Sequence, residues 1–167
     1  MLRIPAALLA TALAFSAPAM AQTTEEAEMP DAPIQTDLTP TDAGMPDPAD
    51  VHDWVAAYFE GTRGGDAAGW ASAFAEGAVV DDPVGTPVKD SPEAIMQMGE
   101  DFIGAFAEVG LHESFVHVVG LEAVAKWQGR GTTREGQSVT FEGINHFTFD
   151  ESGKITQLRG FFAPPGS

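Results

Sequence analysis

The amino-acid sequence predicts an α+β domain in which helices cover one face of a curved, antiparallel sheet. Two observations support this prediction. Apolar residues recur at helical spacing three times before about residue 110, whereas β-branched and aromatic residues dominate four segments after it. The stretches "REGQ" and "DESGK" separate the last of these segments and are typical of hairpin turns.

The N-terminal segment has the layout of a secretory signal peptide. Arg3 precedes an uncharged run rich in Ala and Leu, and Ala19 and Ala21 flank Met20. We expect cleavage after Ala21 and therefore a periplasmic or secreted protein. The run is shorter than the roughly 20 apolar residues of a membrane span, so a membrane is not an expected partner.

Residues 22–49 are interpreted as a disordered, acidic, Pro-rich linker. Positions 22 to 50 hold eight acidic residues, five prolines and no basic residue, without apolar periodicity. Such a segment buries too little apolar surface to offset its ordering entropy. An interaction tail is the alternative interpretation. The folded domain is expected over residues 50–167.

Charge and cysteine content narrow the function classes. The chain has a formal net charge of −17 and no cysteine. The negative charge disfavours nucleic acid and anionic membranes as partners. Without cysteine, thiol catalysis and Cys-ligated metals are excluded. The histidines lack the spacing of metal ligands, so neither a metal nor another cofactor is expected; they are His52, His112, His117 and His146.

Three helices are predicted in the first half of the domain. The first starts at Asp47 or Asp50 and stops at Gly64-Gly65. A short second helix over 67–75 follows Asp66. Ser91 caps the third, with a strand pair around 78–89 before it. The first apolar stripe comprises Val51, Trp54, Val55, Tyr58 and Phe59; the third comprises Ile95, Met98, Phe102, Phe106 and Val109.

Strands are predicted over 113–120, 122–133, 138–149 and 154–163. In the third strand, alternation places the odd-numbered side chains toward the core, and Asn145 is the polar exception among them. A buried amide without a partner costs about 1 to 3 kcal/mol, so Asn145 should be hydrogen-bonded. It is a structural amide between strands or a ligand-binding group.

The stretch "AVVDDPVGTP" contains two adjacent carboxylates and no Lys or Arg. Asp82 is either an ordinary turn carboxylate before proline or a general base at the mouth of a pocket. Asp81 points to the opposite side of an extended strand and is expected to be solvated. Tyr58 lies on the buried stripe of the first helix, where a core phenol is the alternative to a site residue.

The stretch "YFEGTRGGDAAGWASAFAEGAVVDDPVGTP" resembles the N-terminal half of the ketosteroid isomerases, and "INHFTFDESGKI" extends the resemblance. These isomerases belong to the nuclear transport factor 2-like superfamily, together with SnoaL-type polyketide cyclases. The resemblance covers residues 51–163. It implies a cone-shaped, cystatin-like α+β barrel with three helices packed in a curved sheet, a deep apolar pocket and, often, a homodimer.

The resemblance also implies site residues. Tyr58 matches the tyrosine of the oxyanion hole, Asp82 matches the general base, and Asn145 falls where the isomerases have a protonated aspartic acid. Phe74 and Gly99 stand where the isomerases have supporting tyrosines. The pocket wall that contacts substrate is expected to comprise Phe74, Trp127, Phe141, Phe147, Leu158 and Phe162.

The expected function is cofactor-free isomerisation of a small hydrophobic carbonyl compound by proton transfer. One alternative is a non-catalytic module that binds a small apolar ligand or a protein. Another is a structural dimerisation domain whose pocket is filled by Trp127, Phe141 and Phe162.

Overall fold

The computed structural model describes residues 35–38 and 44–163. The expected signal peptide over 1–21 lies outside the described residues, as does most of the linker over 22–49, so both stay predictions. Within that linker, Gln35–Leu38 form a strand, which departs from the expected disorder. Backbone hydrogen bonding to a sheet edge can order a segment that has no apolar periodicity of its own.

The elements follow the predicted order of helices and then strands, and the α+β class is confirmed. One strand precedes the helices and another is inserted between the second and third. The elements are β1 (Gln35–Leu38), α1 (Pro48–Gly64), α2 (Ala67–Ala71), β2 (Phe74–Asp81), α3 (Pro92–Gly104), β3 (Phe106–Val119), β4 (Glu122–Thr133), β5 (Ser138–Phe149) and β6 (Ile155–Phe162).

The predicted helix starts are all present with their caps. The side chains of Asp47, Asp66 and Ser91 each accept a hydrogen bond from a backbone N–H in the first turn of the helix that follows. Gly65 ends α1 in the left-handed conformation at φ 67°, which a glycine adopts without steric cost.

Two helices end earlier than predicted. Phe74 begins β2 instead of continuing α2, and Phe106 and Val109 belong to β3 instead of α3. Phe74 pairs with β6, and Phe106 and Val109 pair with β4. Strands that are distant in sequence therefore take over residues whose local spacing also fits a helix.

The described strands form one sheet in the order β1-β3-β4-β5-β6-β2. The four strands from β3 to β6 pair antiparallel, as predicted. The two edges differ from the wholly antiparallel expectation, because β1 runs parallel to β3 and β2 runs parallel to β6. The predicted strand pair around 78–89 reduces to β2 and one antiparallel bridge from Val80 to Lys89.

The core lies between the helices and the inner face of the sheet. Helix α1 packs on β3 and contributes four buried residues to the core, Val51, Val55, Tyr58 and Phe59. Alternation along β5 buries every second residue from Phe141 to Phe149, so Asn145 faces inward among apolar neighbours. Among the described residues, no helix is long and apolar enough to cross a membrane.

Candidate active site

A cavity of about 900 Å³ lies between the helices and the inner face of β4 and β5. Tyr58, Asp82 and Asn145 all line it, so the tertiary structure brings the three predicted site residues to one place. Trp127, Phe141 and Phe162 form part of its wall and leave its volume open. The alternative in which these three side chains fill the pocket is therefore wrong.

A chain of hydrogen bonds holds Asn145 in one orientation. Its Oδ1 accepts from Trp127 Nε1 at 2.9 Å, and its Nδ2 donates to the Tyr58 hydroxyl oxygen at 3.4 Å. Because the indole N–H of Trp127 can only donate, the amide atom that it contacts must be the oxygen of Asn145. The amide nitrogen therefore faces Tyr58. Asn145 thus acts as a donor on the cavity side, as a protonated carboxyl group would.

The bond from Asn145 leaves the Tyr58 hydroxyl hydrogen free to donate into the cavity. Tyr58 is 2% exposed. Burial raises the pKa of its phenol well above the ordinary value, and the negative charge of Asp82 raises it further, while hydrogen bonding by the side chains of Trp70 and Asn145 lowers it in part. The phenol therefore stays protonated and can serve as a hydrogen-bond donor at neutral pH.

Asp82 presents a carboxylate with one buried, unpartnered oxygen. Oδ1 is inaccessible to solvent and has no hydrogen-bond partner among the described residues. Desolvation raises the pKa of Asp82 to about 6, against the opposing charge of Lys89, and Asp81 adds a smaller upward effect. A carboxylate with a pKa near neutrality can both accept and return a proton under ordinary conditions.

Two neighbours set the position of Asp82. The carboxylate lies directly over the Cα of Gly160, where any Cβ would overlap Oδ1. Gly160 on β6 is paired with Asn145 on β5, so the base packs on the strand next to the one that carries Asn145. Lys89 Nζ donates to the backbone oxygen of Asp82 at 3.1 Å and to Thr86 Oγ1 at 3.2 Å, which closes the 82–89 loop beside the cavity.

Asp81 differs from the expectation of a solvated side chain. It points away from Asp82, as alternation predicts, but its Oδ2 lies 3.5 Å from Nε of Arg159. The two residues are paired in register between β2 and β6. The sequence could not reveal this ion pair, because Arg159 is 78 positions away along the chain.

The predicted substrate wall divides into two groups. Trp127, Phe141 and Phe162 line the cavity, whereas Phe74, Phe147 and Leu158 do not. Phe147 and Leu158 are fully buried, and Phe74 packs against the rings of Trp70 and Tyr58. These three belong to the core behind the site, because alternation identifies the inner face of a strand but not the depth along it.

The sequence pattern did not identify several residues that line the cavity. Trp70 and Lys89 line the cavity, together with Met98 and Phe102 of α3. Trp70 is 6% exposed, and its indole lies beside the ring of Tyr58, with the two centroids 5.9 Å apart. Apolar residues on a helix stripe give the same signal whether they face a core or a cavity. Among the described residues, no group of three or more potential ligands could hold a metal ion.

A family model described as a SnoaL-like domain matches residues 55–158, a range that contains most of the cavity wall and the three polar site residues. The chain belongs to the SnoaL-like domain family. This confirms the resemblance to the ketosteroid isomerase-like and nuclear transport factor 2-like proteins.

Known relatives of this SnoaL-like protein include an enzyme and a solved structure. The chain is 35% identical over 117 residues to the steroid Delta-isomerase of Nocardioides simplex, which covers 70% of this chain and 92% of that enzyme. It superposes with a TM-score of 0.64 on the epoxide hydrolase/cyclase-like enzyme SalBIII, which has a role in pyran ring formation in the polyether salinomycin. That match is 23% identical, covers 70% of this chain and 92% of the other, and shows the fold.

Proposed function

We propose that this SnoaL-like protein is a cofactor-free isomerase that transfers a proton within a small hydrophobic carbonyl compound, as in steroid Δ-isomerisation. One observation carries the proposal. The cavity holds the buried, unpartnered carboxylate of Asp82 together with the donor network of Tyr58 and Asn145. The relationship to a steroid Delta-isomerase supports the same chemistry.

The geometry assigns a role to each polar group. Asp82 removes a proton from the carbon next to the carbonyl, and the electron pair moves through the new double bond onto the carbonyl oxygen. Tyr58 donates to that oxygen as negative charge develops, and the second amide hydrogen of Asn145 is available to it as well. Asp82 then returns the proton two carbons further on, and the double bond moves into conjugation.

The environment of Asp82 fits this role. A base must be ionised before turnover, and a pKa of about 6 leaves most Asp82 ionised above that pH. The apolar wall excludes water from the reacting carbon, which strengthens the donor interactions with the oxygen. We therefore expect kcat/KM to fall as the pH drops below about 6, since this ratio follows the ionisation of the free enzyme.

The test is the conversion of a 5-ene-3-ketosteroid to its conjugated isomer, followed by ultraviolet absorbance. We expect Asp82→Asn to lower kcat by about 100-fold or more, because an amide cannot accept the proton. Asp81→Asn is the matched control, since it removes the neighbouring carboxylate outside the cavity and should retain activity. Equal losses in both variants would contradict the assignment of the base.

Asn145→Asp tests the role of residue 145 as a hydrogen-bond donor to the carbonyl oxygen. A protonated carboxyl group at this position can still accept from Trp127 and is a stronger donor than an amide, so we expect a higher kcat.

The alternative of a non-catalytic binding module predicts a different result. In that case the wild-type protein binds a steroid or phenol but does not convert the ketosteroid. Asp82→Asn then has no turnover to lower.

A further inference from the structure

Lys89 contributes a positive charge to the cavity wall. Of the described residues that line the cavity, Lys89 alone is a lysine or an arginine. Its ammonium group donates to the backbone oxygen of Asp82 at 3.1 Å and to Thr86 Oγ1 at 3.2 Å, and both acceptors are neutral. No carboxylate oxygen of the described residues lies within ion-pair distance of this group. The charge of Lys89 is therefore not neutralised by a salt bridge.

The 82–89 loop holds this ammonium group beside Asp82. Val80 and Lys89 exchange two backbone hydrogen bonds, of 2.8 and 2.9 Å, so the end of the loop returns to β2. The hydroxyl group of Thr86 accepts from Lys89 and donates to the backbone oxygen of Pro83 at 2.8 Å. The half-buried side chain of Lys89 thus spans the loop from its last residue to its first.

The position of Lys89 affects the protonation of Asp82. A cation near a carboxylate favours the ionised form, and the effect is stronger in a partly dehydrated site than in water. Burial raises the pKa of Asp82 to about 6, and the charge of Lys89 opposes this rise. The other ionisable groups that adjoin Asp82 or line the cavity are Tyr58 of α1, Asp81 of β2, Asp101 of α3 and Arg159 of β6. Because Arg159 is paired with Asp81 outside the cavity lining, Lys89 is the cation that offsets the burial of Asp82.

We propose that Lys89 is a positioning residue for the base, because it holds the loop that begins at Asp82 and its charge keeps the Asp82 carboxylate ionised. This inference rests on the proposed function, in which Asp82 must be ionised before it accepts a proton. It also describes the ligand. The charges of Lys89 and ionised Asp82 sum to zero, and this favours an uncharged carbonyl compound in this part of the cavity.

The first test is the pH profile of kcat/KM for the ketosteroid in Lys89→Gln, which removes the charge. Lys154→Gln is the matched control, since Lys154 Nζ also donates to a backbone oxygen, that of Ser72, but lies outside the cavity lining. We expect the acid limb to move up by about one pH unit in Lys89→Gln alone. At about pH 5, kcat/KM then falls by about 10-fold, whereas at about pH 8 it stays within about 3-fold of wild type. Lys89→Arg keeps the charge and should retain the wild-type profile.

A second measurement does not require turnover. The chemical shift of the Asp82 carboxyl carbon is followed against pH by ¹³C NMR of the full chain, and Asp82→Asn identifies the signal by its absence. We expect an inflection near pH 6 in the wild-type protein. The inflection should lie about one pH unit higher in Lys89→Gln and be unchanged in Lys154→Gln.

The outcomes separate this inference from the proposed function. Equal inflections in Lys89→Gln and Lys154→Gln overturn the role of Lys89, whether or not the protein is an isomerase. A uniform loss of kcat/KM at every pH, without a displaced inflection, overturns it as well, because Lys89 then only supports the fold of the loop. A displaced inflection in a protein without isomerase activity supports the role of Lys89 and contradicts the proposed reaction. If Lys89→Gln does not fold, Lys89→Met replaces it, because methionine keeps most of the aliphatic stem without the charge.

Discussion

Asp81 and Asp82 are chemically identical neighbours with different environments. Asp81 faces Arg159 at 3.5 Å on the outer side of the sheet edge. Asp82 faces the cavity, where one of its oxygens has no partner and desolvation raises its pKa. Burial disfavours the charged form of a carboxylate, so the environment of Asp82 suits it to a proton-transfer role near neutral pH.

The raised pKa of Asp82 predicts how the free energy of unfolding depends on pH. The unfolded chain has the ordinary value of 3.8, whereas the folded value is about 6. Ionised Asp82 therefore destabilises the folded protein as the pH rises through this interval, and protonated Asp82 does not. We expect Asp82→Asn to gain about 2 kcal/mol of stability relative to wild type between pH 4 and pH 8.

Urea unfolding of wild type and Asp82→Asn at several pH values measures this gain. The comparison removes pH effects from the other carboxylates, since both proteins share them. A stability difference that stays constant from pH 4 to pH 8 would show that the carboxylate is not desolvated in the folded state.

At the scale of elements, β6 positions the base as much as β2 does. Gly160 on β6 has no side chain, and the carboxylate of Asp82 occupies the space above its Cα. The pairing of Gly160 with Asn145 then places the base next to the donor network on β5. The site therefore depends on the register between β5 and β6, although β6 contributes no ionisable group to it.

Gly160→Ala should displace Asp82 from its position. The added methyl group overlaps the carboxylate, so the loop after β2 has to shift. We expect kcat for the ketosteroid to fall by about 100-fold while the fold is retained, because a displacement of about 1 Å costs that much in catalysis. Gly64→Ala is the control, since a Cβ there meets nothing within 4 Å. Circular dichroism checks the fold, and an unchanged kcat would contradict the packing of Asp82 on Gly160.

At the scale of the whole molecule, the outer face of the sheet carries a row of exposed residues, three of which are hydrophobic. Cross-strand register aligns Phe115, Lys126, Ile144 and Phe161 on adjacent strands from β3 to β6. The three hydrophobic members are each at least 36% exposed. Lys126 interrupts the hydrophobic side chains of this row, but several exposed hydrophobic residues grouped on one sheet face are typical of an interaction surface. We propose that a second copy of this chain covers it, in line with the homodimer that the family resemblance implies.

Ile144→Lys should separate this homodimer into monomers. Lys126 already lies in this row and is paired with Glu142, whereas a second lysine at position 144 would bury an unpaired charge in the interface, which costs several kcal/mol. Size-exclusion chromatography with light scattering measures the mass in solution, and we expect the mass of the variant to be half that of wild type. Val88→Lys, at a 52% exposed position in the 82–89 loop, is the control. A monomeric wild-type protein contradicts the proposal.

The local sequence pattern was sufficient for most of the secondary structure. Helix starts at Asp47, Asp66 and Ser91 are encoded by a capping side chain and its nearest neighbours. The strands β4 and β5 begin and end at the predicted residues, because turn residues bound them on both sides. Alternation along β5 predicted that Asn145 faces inward, since the direction of a side chain follows from its parity in the strand.

The tertiary structure alone decided how the polar groups work together. Trp127 orients Asn145, Gly160 makes room for Asp82, and Trp70 enters the cavity beside Gly99. Each of these contacts joins residues that are 18 or more positions apart, so no local pattern encodes them. The sequence by itself therefore determined the elements, the inward faces and, by resemblance, the family. Packing between distant strands and helices determined the depth of the cavity, its donors and the pKa of its base, because burial and contact depend on the whole fold.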